Sequence, residues 1–199
     1  MRAIGLLLLS IALVPAARAE EPAQISEPGS GVPFDTRSGE LQLLGVGLRT
    51  KTFLKVKVYA VGLYVDPAGL AAYRTQTSSA AFFQRLVWGD FRREIRMKFV
   101  RASVTADQIR GAFREGLEGA DKAKVETFVG FFGDTKAGDE YVLRYVPGGV
   151  LETTVAGQPK PAIADKAFAA AVFSIWLGEK PIQDDLKRAL VARAAEVLR

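Results

Sequence analysis

The sequence has 199 residues, 49% of them hydrophobic and 25% charged, with 27 Lys and Arg against 22 Asp and Glu for a formal net charge of +5. It contains no cysteine and no histidine, which excludes disulfide support, histidine-centred triads, His–metal sites and a histidine pH switch. The basic residues are interleaved with acids rather than gathered in a stripe, so no nucleic-acid partner is expected.

Residues 1–19 read as a secretory signal peptide. Arg2 gives a positive n-region, residues 3–14 are apolar, and Ala17–Arg18–Ala19 is an A-x-A cleavage site. The apolar run is short for a bilayer and no later stretch is long enough. The mature chain is therefore expected to carry no transmembrane segment and to be exported, to the periplasm. Residues 20–39 hold Pro22, Pro28, Gly29, Gly31 and Pro33 and read as a flexible leader. Residues 40–199 suit one domain.

Residues 43–66 read as a β-hairpin around which the chain is organised. Its first arm ends near Arg49, the turn lies at 50–52, and the second arm over 53–65 is rich in Val, Tyr and Leu. Strict alternation places Leu54, Val56 and Val58 on one face and Lys55, Lys57 and Tyr59 on the other. From Ala60 onward both faces are apolar, so that half of the strand should be central. Gly45, Gly47 and Gly62 within it imply bulges or close backbone approach, with room for a ligand. Such a strand pair can hold a few polar groups at the mouth of an apolar cleft.

Asp66 and Pro67 open a short helix over 67–74. Ser78 caps a second, with Phe82 and Leu86 at helical spacing. Residues 91–101 alternate, with Ile95, Met97 and Phe99 on one face and Arg96, Lys98 and Val100 on the other. Thr105 and Gln108 match a capping box, followed by a stripe of Ile109, Ala112, Phe113, Gly116 and Leu117. A helix over 122–132 follows, then strands over 139–146 and 150–155 joined by Pro147–Gly148–Gly149. An apolar helix over 164–177 and a final helix over 181–198 complete the chain. This order gives an α+β fold, a large and largely antiparallel sheet with helices packed on one face.

The pieces Gly45–Val46–Gly47–Leu48–Arg49 and Gly62–Leu63–Tyr64–Val65, with the ending Gly178–Glu179 through Arg188, resemble the chalcone isomerase-like family over most of the mature chain. The resemblance implies an open-faced β-sandwich: a large antiparallel sheet, a helical layer on one side and short strands on the other. The family includes isomerases that cyclise chalcones, fatty-acid-binding members and non-catalytic relatives, many of them bacterial. Arg49 matches the family arginine. Tyr59 stands where the isomerases use a threonine, and the tyrosine resembles the fatty-acid-binding members, in which Arg and Tyr together hold the ligand carboxylate. The isomerases' active-site tyrosine and asparagine fall on Ile109 and Gly116, and a hydroxylated residue of the penultimate helix falls near Ser174 or Ile175.

These residues name the candidate site. A guanidinium matches a carboxylate bidentately, so Arg49 is either a ligand contact or one half of an internal salt bridge. Tyr59 either donates to the same carboxylate or is a satisfied core tyrosine. Lys57, Ile109 and Ser174 are further cleft candidates. Lys55, Arg96 and Lys98 either add positive potential or end strands in solvent. Phe128, Phe131, Phe132, Phe168 and Phe173 either line an acyl tunnel or pack the core. The leading expectation is an exported protein that binds a fatty acid or similar amphipathic carboxylate without turnover. The alternatives are a chalcone isomerase-type lyase, and a protein-partner module with a vestigial cleft. No residue is assigned a catalytic role, no cofactor or metal is expected, and the oligomeric state is not set by the sequence.

Overall fold

The computed structural model describes residues 23–51 and 54–199. The signal-peptide expectation lies outside the described residues. The chain begins with strands β1 (Gln24–Ser26), β2 (Pro33–Asp35) and β3 (Arg37–Ser38), followed by the long pair β4 (Leu41–Lys51) and β5 (Val56–Val65). A 3-10 turn at Pro67–Tyr73 leads to α1 (Ala80–Trp88), β6 (Arg93–Phe99), β7 (Ser103–Val104), α2 (Ala106–Gly116) and α3 (Lys122–Val129). Then come β8 (Thr135–Lys136), β9 (Glu140–Val146), β10 (Val150–Val155), β11 (Gln158–Pro159) and β12 (Ile163–Ala164). The chain closes with α4 (Lys166–Leu177), α5 (Asp184–Ala189) and α6 (Ala194–Val197).

Among the described residues eight strands form one antiparallel sheet in the order β11–β10–β9–β6–β5–β4–β3, with β12 paired to β10. Alternation on β5 and β6 sends Val61, Leu63, Ile95 and Met97 into the main core, under the helices. The opposite face carries Ala60 and Tyr64, which pack with Phe34, Leu41 and Leu43 in a second, smaller core. That smaller core is covered by the β1–β2 hairpin. The architecture is the expected open-faced sandwich.

Residues 24–38 are not a flexible leader. The Gly and Pro residues there shape a turn rather than a linker: the buried Glu27 carboxylate accepts from Gly29 N and Ser30 N at 3.0 and 2.7 Å, and Gly31 takes φ +74°. Phe34 is fully buried against Gly62, where an added Cβ would lie 2.8 Å from its ring. Ile25, Val32 and Phe34 are too widely spaced to give a periodic signal, yet all three pack in the smaller core and Phe34 anchors the segment.

Two register shifts interrupt the β4–β5 ladder, at Leu43/Gly45 and at Arg49/Thr50. In the second, Arg49 pairs with Tyr59 and Thr50 with Lys57, so Val58 is the extra residue of a bulge. The final helix is also not continuous. It breaks between α5 and α6, where Arg193 N donates to Leu44 O at 2.8 Å and Arg193 Nη1 to Leu43 O at 2.9 Å. Those carbonyls belong to the first bulge, and satisfying them draws the chain out of helical geometry. Other ends follow their caps: Asp66, Ser79 (not Ser78), Thr105 with the full capping box, Asp121 and Asp165 each accept from the backbone of their helix's first turn.

A charged cluster lies on the hairpin side of the sheet. Glu94 is fully buried and bonded by Arg96 at 2.9 Å, Arg144 at 2.6 Å and Ser38 Oγ at 3.2 Å. On the helix side, the guanidinium of fully buried Arg93 donates to Val87 O, Gly89 O and Phe91 O, closing the end of α1, and lies 3.9 Å from the Tyr145 ring centroid.

Candidate functional site

At the free end of β4, β5 and β6 the sheet and the helices part around a cavity of about 820 Å³. Its floor is apolar and buried: Met97 and Phe99 from β6, Ile109 and Phe113 from α2, and Ile175 and Trp176 from α4. Its rim is charged, with exposed Lys51, Glu115, Glu179 and Lys180 and half-buried Arg101. A volume of this size lies within the ordinary range for small-molecule sites, as does the pattern of an apolar wall with few polar groups.

Arg49 lines this cavity from the last turn of ladder before the Val58 bulge. Its Nη1 donates to Thr50 O and, at 3.1 Å, to Gln183 Oε1. Its Nε and Nη2 have no hydrogen-bond partner among the described residues, and no carboxylate there lies within ion-pair distance. The internal salt bridge that would have explained Arg49 is absent among those residues. Gln183 is what positions it. Besides accepting from Arg49, its Oε1 takes Thr50 N at 3.0 Å, and its Nε2 donates to Leu48 O at 3.2 Å. The N-cap residue of α5 is thereby clipped to the end of β4.

Tyr59 faces Arg49 across the ladder and also lines the cavity. Its hydroxyl accepts from Trp176 Nε1 at 3.1 Å. Burial pushes its pKa up to about 12, with the Trp176 hydrogen bond and the Arg49 charge opposing that shift. The phenol is therefore protonated at neutral pH. Among the described residues its proton has no acceptor.

The remaining sequence candidates divide. Ile109 and Ser174 line the cavity, as do Gly116 and Ile175. Ile109 and Gly116 bring no proton donor to it, and Ser174 Oγ is spent on Ala170 O at 2.8 Å within its own helix. Lys57 does not line the cavity. The Val58 bulge inverts the alternation between positions 57 and 59, so Lys57 projects to the hairpin side and donates to Gly29 O. Arg96 and Lys98 also face that side, where Lys98 Nζ donates to Pro33 O at 2.7 Å. The aromatic set does not form a tunnel. Phe128 and Phe132 pack with Phe113 at centroid distances of 5.2 and 4.6 Å, and Phe128 meets Phe168 at 5.7 Å. They are core, as is Phe173, and the cavity takes its apolar wall from other residues.

Sequence reasoning did not single out Arg101, Trp176 or Gln183. Arg101 lines the cavity half-buried, and its side chain has no hydrogen bond or ion pair among the described residues. Together Arg49, Tyr59 and Arg101 present uncommitted N–H and O–H donors at one end of an apolar chamber. That set is complementary to an anionic head group on an apolar tail. No group of three His, Cys, Asp or Glu that could hold a metal occurs among the described residues, and no helix there is long and apolar enough to cross a membrane.

Comparison with known proteins agrees with this architecture. A family model described as chalcone isomerase-like matches residues 32–192. Among solved structures, a fatty-acid binding protein of Arabidopsis thaliana superposes with a TM-score of 0.76 at 22% sequence identity, covering 88% of this chain and 98% of that one. At that identity the likeness speaks for the fold. No curated protein sequence matches the chain.

Proposed function

The chain belongs to the chalcone isomerase-like family, and from that premise we propose that it binds a fatty acid or similar amphipathic carboxylate without turning it over. The observation that carries the proposal is the pairing of Arg49 and Tyr59. A guanidinium with two donor positions and a phenol with a proton, each without a partner among the described residues, stand opposite each other at an apolar chamber. A carboxylate there would take two N–H donors and one O–H, while its tail covers Met97, Phe99 and Ile175. That a structural neighbour of the same fold is a fatty-acid binding protein supports the reading.

Turnover is not part of the proposal. By the family resemblance, the positions that the isomerases fill with tyrosine and asparagine fall at Ile109 and Gly116, which offer an alkyl surface and bare backbone. The vestigial-cleft reading loses its motive too, because the chamber is open rather than filled. With residues 1–19 read as a signal peptide, the protein is proposed to meet its ligand after export, in the periplasm.

The test is native mass spectrometry of the protein purified from the envelope fraction of its own cell, with extraction of whatever is bound. The expected result is a chain beginning at Glu20 with one carboxylate amphiphile, lost in Arg49→Ala. A folded, empty protein that ignores added fatty acids overturns the binding proposal. An intact Met1 terminus overturns the cleavage before Glu20 and favours a retained N-terminal anchor, and recovery from the cytosolic rather than the envelope fraction overturns the export proposal.

A further inference from the structure

The cavity end holds more positive charge than one carboxylate uses. Arg49 and Tyr59 are enough to saturate a monoanionic head. Arg101 remains, lining the same cavity with no partner for its guanidinium among the described residues. Its place is fixed by the backbone: Arg101 N donates to Val58 O at 3.2 Å, beside Val100 N to the same oxygen at 3.0 Å. Val58 is the bulged residue next to Tyr59, and Tyr59 pairs with Arg49. Arg49 and Arg101 therefore flank β5 from opposite sides, roughly 10 Å apart at their backbones by ordinary strand spacing. Extended arginine side chains close that gap. Lys51 and Lys180 add two ammonium groups at the rim that have no partner among the described residues, against the two carboxylates of Glu115 and Glu179.

We propose that the head-group end of this cavity is built for a dianion, a phosphate monoester on a single apolar chain, with Arg101 as its second anchor. The proposal rests on the reading of the cavity as a site for anionic amphiphiles and narrows it. A phosphate monoester carries about −1.5 to −2 charges at pH 7 and offers three acceptor oxygens. Those oxygens match two guanidinium groups and one phenol proton. A carboxylate has two oxygens and one charge, and it leaves Arg101 half-buried and unmatched. The bulge at Val58 is what makes the arrangement possible, because it turns Tyr59 inward between the two arginines while sending Lys57 to the other face.

The experiment compares dodecyl phosphate with dodecanoate by isothermal titration calorimetry at pH 7.5, for the wild type, Arg101→Gln and Arg49→Ala. The phosphate is expected to bind at least tenfold more tightly. Arg101→Gln is expected to lower the phosphate-to-carboxylate preference at least tenfold, and Arg49→Ala to weaken both ligands. The preference should also fall as pH drops through about 6, where the phosphate dianion takes up a proton and becomes a monoanion. Equal affinity for the two ligands, or a preference that survives in Arg101→Gln, overturns the dianion proposal while leaving the carboxylate reading in place. Binding of neither amphiphile overturns both. Thermal unfolding of each variant establishes that a loss of binding is not a loss of fold.

Discussion

Trp176 Nε1 donates to the hydroxyl of Tyr59 at 3.1 Å, joining the last helical turn of α4 to the second strand of the central hairpin. An indole N–H can only donate, so the bond fixes the phenol as its acceptor. The phenol proton is left for whatever enters the cavity. One buried contact thus sets the chemistry of the site and ties helix to sheet beneath it.

Replacing Tyr59 with Phe separates those two effects. The ligand loses one hydrogen bond, so affinity for a carboxylate amphiphile should fall by about 3- to 10-fold, the scale of roughly 0.5–1.5 kcal/mol. The buried Trp176 N–H loses its acceptor, which should cost about 1–3 kcal/mol of stability. Calorimetric titration and thermal denaturation read the two separately. Unchanged affinity with lowered stability would mean that the phenol proton does not reach the ligand.

The same phenol predicts an alkaline limit. Its pKa is about 12 in the folded protein against 10.0 for the free group. Between those values the unfolded chain gives up the proton and the folded chain keeps it. Bound protons are then fewer in the unfolded state, and stability falls as pH rises. The full effect is on the order of 2–3 kcal/mol. Tyr64 is also shifted upward, chiefly by burial, so the comparison must be with Tyr59→Phe. Denaturant titrations at several pH values from 9 upward should show wild type losing more stability than the variant. Parallel curves would show that Tyr59 ionises normally.

Gln183 controls Arg49 through one oxygen, which accepts from Arg49 Nη1 at 3.1 Å and from Thr50 N at 3.0 Å. Gln183→Glu places a carboxylate where the amide now sits, against the guanidinium that the ligand needs. The internal pair is expected to compete with the ligand carboxylate and to weaken binding at least tenfold, a charge-assisted bond being worth about 1.5–3 kcal/mol. Arg49 and Thr50 N keep an acceptor, but Leu48 O loses the Nε2 donor, so stability should fall by about 1–3 kcal/mol. Ligand titration and thermal unfolding together check this. Normal ligand affinity in Gln183→Glu would remove Arg49 from the head-group site.

Much of this was legible in the sequence. The capping box at Thr105, the apolar second half of β5 and the alternation of β6 each report local physics, and each element formed. Arg101 was legible too in principle. It continues the series Ile95, Met97, Phe99 on the core face of β6, and a charge in phase with a core face is a signal of its own. Lys57 was misplaced because alternation assumes an unbroken ladder, and the Val58 bulge leaves no mark in composition or period. Gln183 and Trp176 act on residues more than a hundred positions away. Nothing local encodes such contacts, so the pieces that position the site emerged only with the fold.

Gly45 is where fold and site meet most tightly. A Cβ at that position would lie 2.2 Å from Ala189 O and 2.8 Å from Leu190 C, both main-chain atoms at the end of α5. No rotamer change relieves a clash with backbone, so α5 must move away from β4. Gly45→Ala should cost about 3 kcal/mol or more, a fall in Tm of roughly 6–12 °C for a chain of this size. Because α5 carries Gln183 at its start, the same displacement should loosen Arg49 and weaken ligand binding in whatever folded protein remains. Gly111→Ala is the contrast. It lies inside α2 with nothing within 4 Å of an added Cβ, and it should stabilise the helix by about 0.8–1 kcal/mol. Thermal denaturation of the two variants, with a ligand titration of each, checks both statements. A Gly45→Ala protein as stable as the wild type would mean that α5 is not pressed onto the sheet, and the clip from Gln183 to Arg49 would lose its support.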